Sequence, residues 1–524
     1  MNRLFIIVLF LLAFGCKKEK YIDTPINVNL DSFNAGKMTI IGQQLKNPYS
    51  VENMRKALNN LPLNTRNGFT DRDIQPTHYY VRFHPKSYKD LDMLQLDSTI
   101  IWYDFPLDYE IIEYGNYYHD PSIPDSLPTF QYASIEISKW ADISSLGIKY
   151  EILSELFIPD EEWEDVEEVN GSVKTNTRSN FDNISVESIV NESLRITGNI
   201  DESNEFIETK GSNKWRPAGR ISYYDDVNDK VIGLEGIKVK ARRWFTTHTG
   251  ITDENGYYSC NGRFKRPAHY SFNFGRYEFV VQGNKFPLMI NTSKRKGDWD
   301  YHFARSESQY EFFVATVFRA AYHYYYKDIG GLRRPPMNSF WRTKMRIKAI
   351  DEQNNDINGN FKSARRFLGL GSAIKLYNPQ NKTDDIYATT IHELAHAAHW
   401  RMIVKEPNTN RYRDYHYADD KMVESWATGV QWYLTKMVYL KYKGRPQGTP
   451  NYTNVVIDLV DSRSDDGTNN GKSYNQGDKV EGYTMWEIET ALQGCNTWDK
   501  WRDNIIKLYD NETKQYVKEL FESW

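Results

Sequence analysis

Three residues of one stretch have the types and spacing to do chemistry together. They are His392, Glu393 and His396, in Thr389-Thr390-Ile391-His392-Glu393-Leu394-Ala395-His396-Ala397-Ala398-His399-Trp400. In a helix successive residues turn by about 100°, so His392 and His396 stand one above the other on a single face. Two imidazoles placed like that can share a Zn2+ ion, with Zn–N bonds of about 2.0–2.1 Å. Glu393 points off the side of that face, where it can reach a water on the metal without being a ligand. Ile391, Leu394, Ala395, Ala398 and Met402 make an apolar stripe on the other flank. Thr383 can cap the helix, Asp384 and Asp385 in its first turn suit the positive end of the dipole, and Pro407 lies beyond its end.

Two imidazoles need a third protein ligand. His399 is seven residues beyond His392, which is an axial rise of roughly 10 Å. Ligand atoms on one tetrahedral zinc lie only about 3.3 Å apart, so His399 is left to support the ligands, meet substrate or pack. Glu424 is the better candidate. It lies on a second predicted helix opened by Asp419 or Asp420, with Val423, Trp426, Val430, Tyr433 and Met437 as its core stripe. Glu424 shares another face with Ala427 and Thr428, small enough for two helices to approach. A buried carboxylate needs a partner, and a metal would be one. Asp420 and His416 are the fallback ligands.

The two segments His392-Glu393-Leu394-Ala395-His396 and Glu424-Ser425-Trp426-Ala427 resemble the His-Glu-x-x-His and Glu-x-x-Ala motifs of the gluzincin metallopeptidases, over roughly residues 300–450. The Gly-x-x-His continuation of the metzincins is absent after His396. The resemblance implies a zincin-like fold, a Zn2+ cofactor held by His392, His396 and Glu424, Glu393 as general base, and a peptide or protein substrate. Gluzincins use a downstream Tyr or His as oxyanion donor. Tyr483, in Gly482-Tyr483-Thr484 at the start of a helix, is the first choice, with Tyr417 and His416 competing.

Other elements must place these residues. A long amphipathic helix is expected over 306–326, with Phe313, Val314, Val317, Phe318 and Ala321 inward. Strands are expected over 344–350 and 371–377. The second of these is expected at the edge of the sheet, where main-chain groups could pair with an extended peptide. The loop 462–478, rich in Asp, Asn, Gly and Ser, could flank the cleft.

Further upstream, residues 217–281 alternate like strands, with the turn Thr252-Asp253-Glu254-Asn255-Gly256-Tyr257-Tyr258. They resemble the carboxypeptidase regulatory-like β-sandwich, which implies a non-catalytic spacer or docking module. Turn chemistry explains Asp253 and Glu254 better than calcium does. Before it, helices over 50–58 and 87–94 and strands over 78–83 and 99–103 make an α+β module. Asp104, Asp108 and Asp120 stand near a single His119 and are expected on a solvated surface. The chain opens with a short apolar run, too short to span a bilayer. Leu12-Ala13-Phe14-Gly15-Cys16 resembles a bacterial lipobox, which implies cleavage before Cys16 and lipid on its thiol.

The expected fold class is therefore a multidomain α+β chain. It comprises a signal peptide (1–15), a tether (16–35), an N-terminal α+β domain (36–165), a linker (166–213) holding a short helix, a β-sandwich (214–285) and a zincin-like domain (286–524). The net charge of −4 over 524 residues gives no basic footprint for nucleic acid. Cys260 and Cys495 are expected to be buried free thiols. The functional expectation is a zinc peptidase anchored by lipid to the bacterial cell envelope. The alternative is an inactive zincin-like surface protein that binds a glycan or protein, a reading prompted by the 37 tyrosines.

Overall fold

A computed structural model describes residues 37–66, 70–159, 183–200, 214–283, 287–339, 343–355, 357–362, 374–403, 415–444, 450–461 and 479–524. The expected leader, Cys16, the expected tether, much of the expected linker and residues 462–478 lie outside the described residues. The chain is mixed α+β with several separate sheets. No helix among the described residues is long and apolar enough to cross a membrane.

The N-terminal part contains β1 (Ile40–Gln44), α1 (Val51–Asn60), β2 (His78–Phe83), α2 (Tyr88–Leu94), β3 (Tyr109–Glu113), β4 (Gln131–Glu136), α3 (Ile137–Ser144), β5 (Tyr150–Leu156) and α4 (Asn183–Ile196). β2 lies between β4 and β5, antiparallel to both. The Ser50 and Ser87 hydroxyls cap α1 and α2 by accepting from the N–H three residues on. The expected strand over 99–103 is instead a turn followed by one bridge, Tyr103 to Tyr132. Asp97 causes this by accepting from both the N–H and the hydroxyl of Thr99. Asp104 and Asp108 are not on a solvated surface. Asp108 is buried and accepts from Tyr80 and Gln44, and burial pushes the Asp104 carboxyl up. α4 is no linker helix either, because Ile189, Val190 and Leu194 enter the same core as Met54 and Leu58 of α1.

The middle part adds β6 (Ala218–Asp225), β7 (Lys230–Gly233), β8 (Lys238–Arg243), β9 (Thr246–Ile251), β10 (Tyr257–Ser259), β11 (His269–Asn273), β12 (Phe279–Gln282), β13 (Met289–Asn291) and β14 (Tyr301–Phe303). Two four-stranded sheets result, one ordered β10-β6-β14 with β7 also on β6, the other β13-β11-β8-β9. The turn before β10 closes on Asp253, which accepts from the N–H groups of Asn255 and Tyr257. Gly256 follows with φ +81°, a left-handed conformation that suits glycine. Phe245, between β8 and β9, inserts into the N-terminal core.

The last part holds α5 (Gln309–Tyr326), β15 (Met345–Ala349), β16 (Gly359–Phe361), β17 (Ile374–Leu376), α6 (Thr383–Met402), α7 (Asp420–Val438), α8 (Val455–Val460), α9 (Met485–Leu492), α10 (Trp498–Leu508) and α11 (Val517–Ser523). Its sheet runs β12-β15-β17-β16, the first three parallel and β16 antiparallel. Ladders cross the expected 285/286 boundary in both directions. β12 joins this sheet from before the boundary, whereas β13 and β14 join the middle sheets from after it. The strand over 371–377 was expected at the edge. Its described part, β17, is interior, and the short β16 takes the edge.

α6 packs against α5 and α7 and meets β16 and β17. From Thr390 to Trp400 every one of its residues is buried. An apolar stripe with an open opposite flank describes a surface helix, and a helix covered all round is a central one. Cys260 and Cys495 are buried, and neither is in a disulfide among the described residues.

Candidate metal centre

The start of α6 is fixed from a distance. Lys382 is its N-cap residue and supplies no capping bond. Thr383, expected as the cap, is the first helical residue, and its N–H and hydroxyl both donate to Asp226 in the β6–β7 turn. Arg305 pairs with the other oxygen of Asp226 at 2.9 Å and donates to the carbonyls of Pro379 and Asn381. α7 starts locally, where the Asp419 carboxylate accepts from the N–H of Lys421.

Between these two helices His392, His396 and Glu424 converge. Among the described residues they are the one group of His, Cys, Asp or Glu whose ligand atoms come together like this. The His392 and His396 Nε2 atoms are 3.1 Å apart. Glu424 Oε2 lies 3.1 Å from the first and 3.3 Å from the second. The imidazole rings are perpendicular, with centroids 4.6 Å apart. His392 and His396 are buried, and Glu424 is half-buried, its side chain 24% exposed.

These edges suit a shared cation. A triangle of three ligand atoms has three sides to bridge, but two imidazole Nε2 atoms bring at most one proton each while neutral, and a carboxylate brings none. The atoms around one tetrahedral Zn2+ lie about 3.3 Å apart, close to all three sides. The donor set of two imidazoles and a carboxylate therefore fits a zinc ion. The three groups are also coupled by charge. Burial pushes the Glu424 carboxyl up, yet His396 and His392 outweigh it and hold the group far below the usual carboxylate range. Burial works against a proton on His396, and Glu424 and Glu393 outweigh it and raise the imidazole.

Two further aromatics meet the group, and sequence reasoning missed both. The Tyr415 hydroxyl lies 3.1 Å from His396 Nδ1, so it supports the ring from behind. Tyr452 stacks on His392, centroids 6.0 Å apart and 24° between planes. Tyr415 stands nine residues before Glu424 and Tyr452 lies beyond the end of α7. Neither position carries a periodic or spacing signal that would have singled it out.

The remaining expected site residues fall as follows. Glu393 is buried, and its charge acts on both His396 and Tyr415. His399 is fully buried, packs edge-on against Tyr415, and has no hydrogen-bond partner for either ring nitrogen among the described residues. Burial pushes its pKa down to about 3, so it is a neutral packing residue. The fallback ligands Asp420 and His416 are exposed and outside the group. Tyr483 is buried at the start of α9, its N–H bonded to Leu459. Burial pushes its phenol up to about 12, and the carboxylate acting on it is Glu487, not Glu393 or Glu424. Tyr417 is 74% exposed and packs on His416.

Comparison of the chain with protein-family models, with curated proteins and with solved structures finds no match in any of the three.

Proposed function

We propose that this chain is a zinc-dependent metallopeptidase of the gluzincin kind. The observation that carries the reading is the triangle of His392, His396 and Glu424, with sides of 3.1, 3.1 and 3.3 Å. Bound there, zinc would supply a Lewis acid that brings the pKa of a water down to about 7. The chain's own groups would do the rest. Glu393, next to His392 on the same helix, takes the proton from the attacking water and hands it to the leaving amine. Tyr415 accepts the Nδ1 proton of His396, which leaves Nε2 free to ligate. The oxyanion role expected of Tyr483 draws no support from its surroundings, where Glu487 is the neighbouring acid. The lipid-anchored setting at the bacterial cell envelope rests on the Leu12–Cys16 resemblance alone.

The test is zinc content, with cleavage of a broad protein mixture by wild type and by Glu393→Gln. The reading expects bound zinc in both and cleavage by wild type only. Zinc bound with no cleavage by wild type would favour a binding protein for a glycan or another protein. Cleavage unchanged in the variant would remove Glu393 as the base.

A further inference from the structure

We infer that the edge strand β16 is a positioning device for the base: Gly359 leaves the space that Glu393 occupies, and Asn378 holds the strand in place. The inference rests on the reading of Glu393 as the base.

Gly359 and Phe361 are alternate residues of β16 and point to the same side. A Cβ at Gly359 would lie 2.6 Å from Glu393 Oε1, 2.7 Å from its Cγ and 2.9 Å from its Cδ. All three distances are below van der Waals contact. These three nearest atoms all belong to the side chain of Glu393. An added methyl would therefore displace the carboxylate and spare the fold. Phe361 meets Tyr415 edge-on, centroids 6.3 Å apart, and Tyr415 reaches His396. One face of a three-residue strand thus addresses both the base and a metal ligand.

Such a short strand needs an anchor. It pairs with β17 through three residues only. Asn378, just after β17, is buried and has φ +64°, a left-handed conformation that asparagine tolerates better than most residues. Its side-chain oxygen accepts from the N–H of Asn354. Its amide donates to the Asn354 carbonyl at 2.9 Å, to the Ile357 carbonyl at 3.4 Å and to the Asn358 side chain. The N–H of Tyr377 adds a bond to the Asn358 carbonyl at 2.9 Å. The residues leading into Gly359 are therefore tied to the short stretch between β17 and α6.

The experiment uses the full chain loaded with Co2+, whose visible spectrum reports on the ligands and solvent around the metal, and dye-labelled casein as substrate. Gly359→Ala should keep wild-type cobalt affinity and melting temperature. Its spectrum should shift towards that of Glu393→Gln. Its rate at saturating casein should fall about 100-fold, as expected for a reacting group misplaced by about 1 Å, with KM little changed. Shortening the acid in that background should make room again, so Glu393→Asp should cost less beside Gly359→Ala than alone. Asn378→Gly keeps the left-handed backbone and removes the side-chain bonds, and should show a smaller loss of the same kind. It also decides the matter if Gly359→Ala does not fold. A wild-type spectrum and rate in both variants would overturn the inference, as would penalties that simply multiply in the double variant. If wild type holds cobalt and cleaves nothing, the peptidase reading fails while the spectrum still tests Gly359. If wild type binds no cobalt, both fall together.

Discussion

Two polar clusters lie along α6, less than two turns apart, and they are built on opposite plans. The first surrounds Arg319 of α5. Its guanidinium donates to the hydroxyls of Tyr223 and Tyr439 and to Asp225 Oδ2, the last at 3.1 Å. It also lies over the rings of Tyr223, Tyr387 and Tyr439. Asp225 is fully buried and accepts in addition from the N–H groups of Val227 and Asn228. One cation meets one anion, so the charges are balanced within the chain. The second cluster is His392, His396 and Glu424, three ligand atoms facing one another with no Lys or Arg side chain among them. The first is what a protein builds to hold elements together, here β6, α5 and α6. The second is what it builds to receive something. Burial alone does not separate them; the balance of charge does.

The largest expected effect removes a vertex of the open cluster. Structural zinc sites bind with about 10–16 kcal/mol. One of three protein ligands should then carry on the order of 4 kcal/mol, about a thousandfold in affinity. His396→Ala should lose zinc and all cleavage. Zinc affinity is checked by competition with a chromophoric chelator. Undiminished zinc binding would remove the contrast between the clusters.

The closed cluster should behave in the opposite way. Arg319→Met leaves Asp225 buried without its cation, and breaking a buried pair from one side costs about 3–5 kcal/mol. The other bonds to Asp225 place the expected loss at the lower end. Denaturant unfolding should show it, and zinc affinity of the folded protein should not change. A variant with wild-type stability and weakened zinc binding would show that the two clusters are coupled.

A third buried acid sharpens the comparison. Glu489 of α9 accepts from the N–H of Arg333 at 2.9 and 3.0 Å, and the Arg333 guanidinium is 3.7 Å away. These partners do not offset burial, which pushes its pKa up to about 7 from an ordinary 4.5. The folded state therefore holds a proton that the unfolded chain has already lost between about pH 4.5 and pH 7. This contribution to stability is full below the unfolded pKa and is lost as pH rises through about 7, by as much as about 3 kcal/mol. Glu489→Gln should flatten that dependence, seen as a higher melting temperature at pH 8 and little change at pH 5. Glu424 is also an acid on a helix, yet its neighbours hold it far in the other direction.

Much of this could be read from the chain and some of it could not. The spacing of His392 and His396 fixes a common face on any helix, and Glu424 followed by small residues supplied the third vertex. Local signals were good for elements whose caps are local, such as Ser50 for α1 and Ser87 for α2. They failed where the deciding partner is distant in sequence. Tyr415, Tyr452 and the approach of Gly359 to Glu393 are tertiary facts with no local pattern. The edge strand was misplaced because β16 is three residues long and has no apolar alternation. The expected boundaries around residues 166–213 and 285/286 follow composition, whereas core packing and strand pairing run across them.

The smallest effect concerns the remote cap. Asp226 lies 157 residues from Thr383, accepts its N–H at 3.1 Å and is itself held by Arg305. Removing a helix cap costs about 1 kcal/mol, so Asp226→Ala should lower stability by about that amount. Asp226→Asn keeps an oxygen for the helix and gives up the pairing with Arg305, so it should lose less. His392 is nine residues into the helix from Thr383, roughly 13 Å along the axis. Dipole and fraying effects fade within the first turn, so zinc affinity should hold in both variants while the unfolding midpoint drops. If zinc affinity falls along with stability, the turn between β6 and β7 helps to set the ligand geometry, and the open cluster depends on the same distant segment that closes the other one through Asp225.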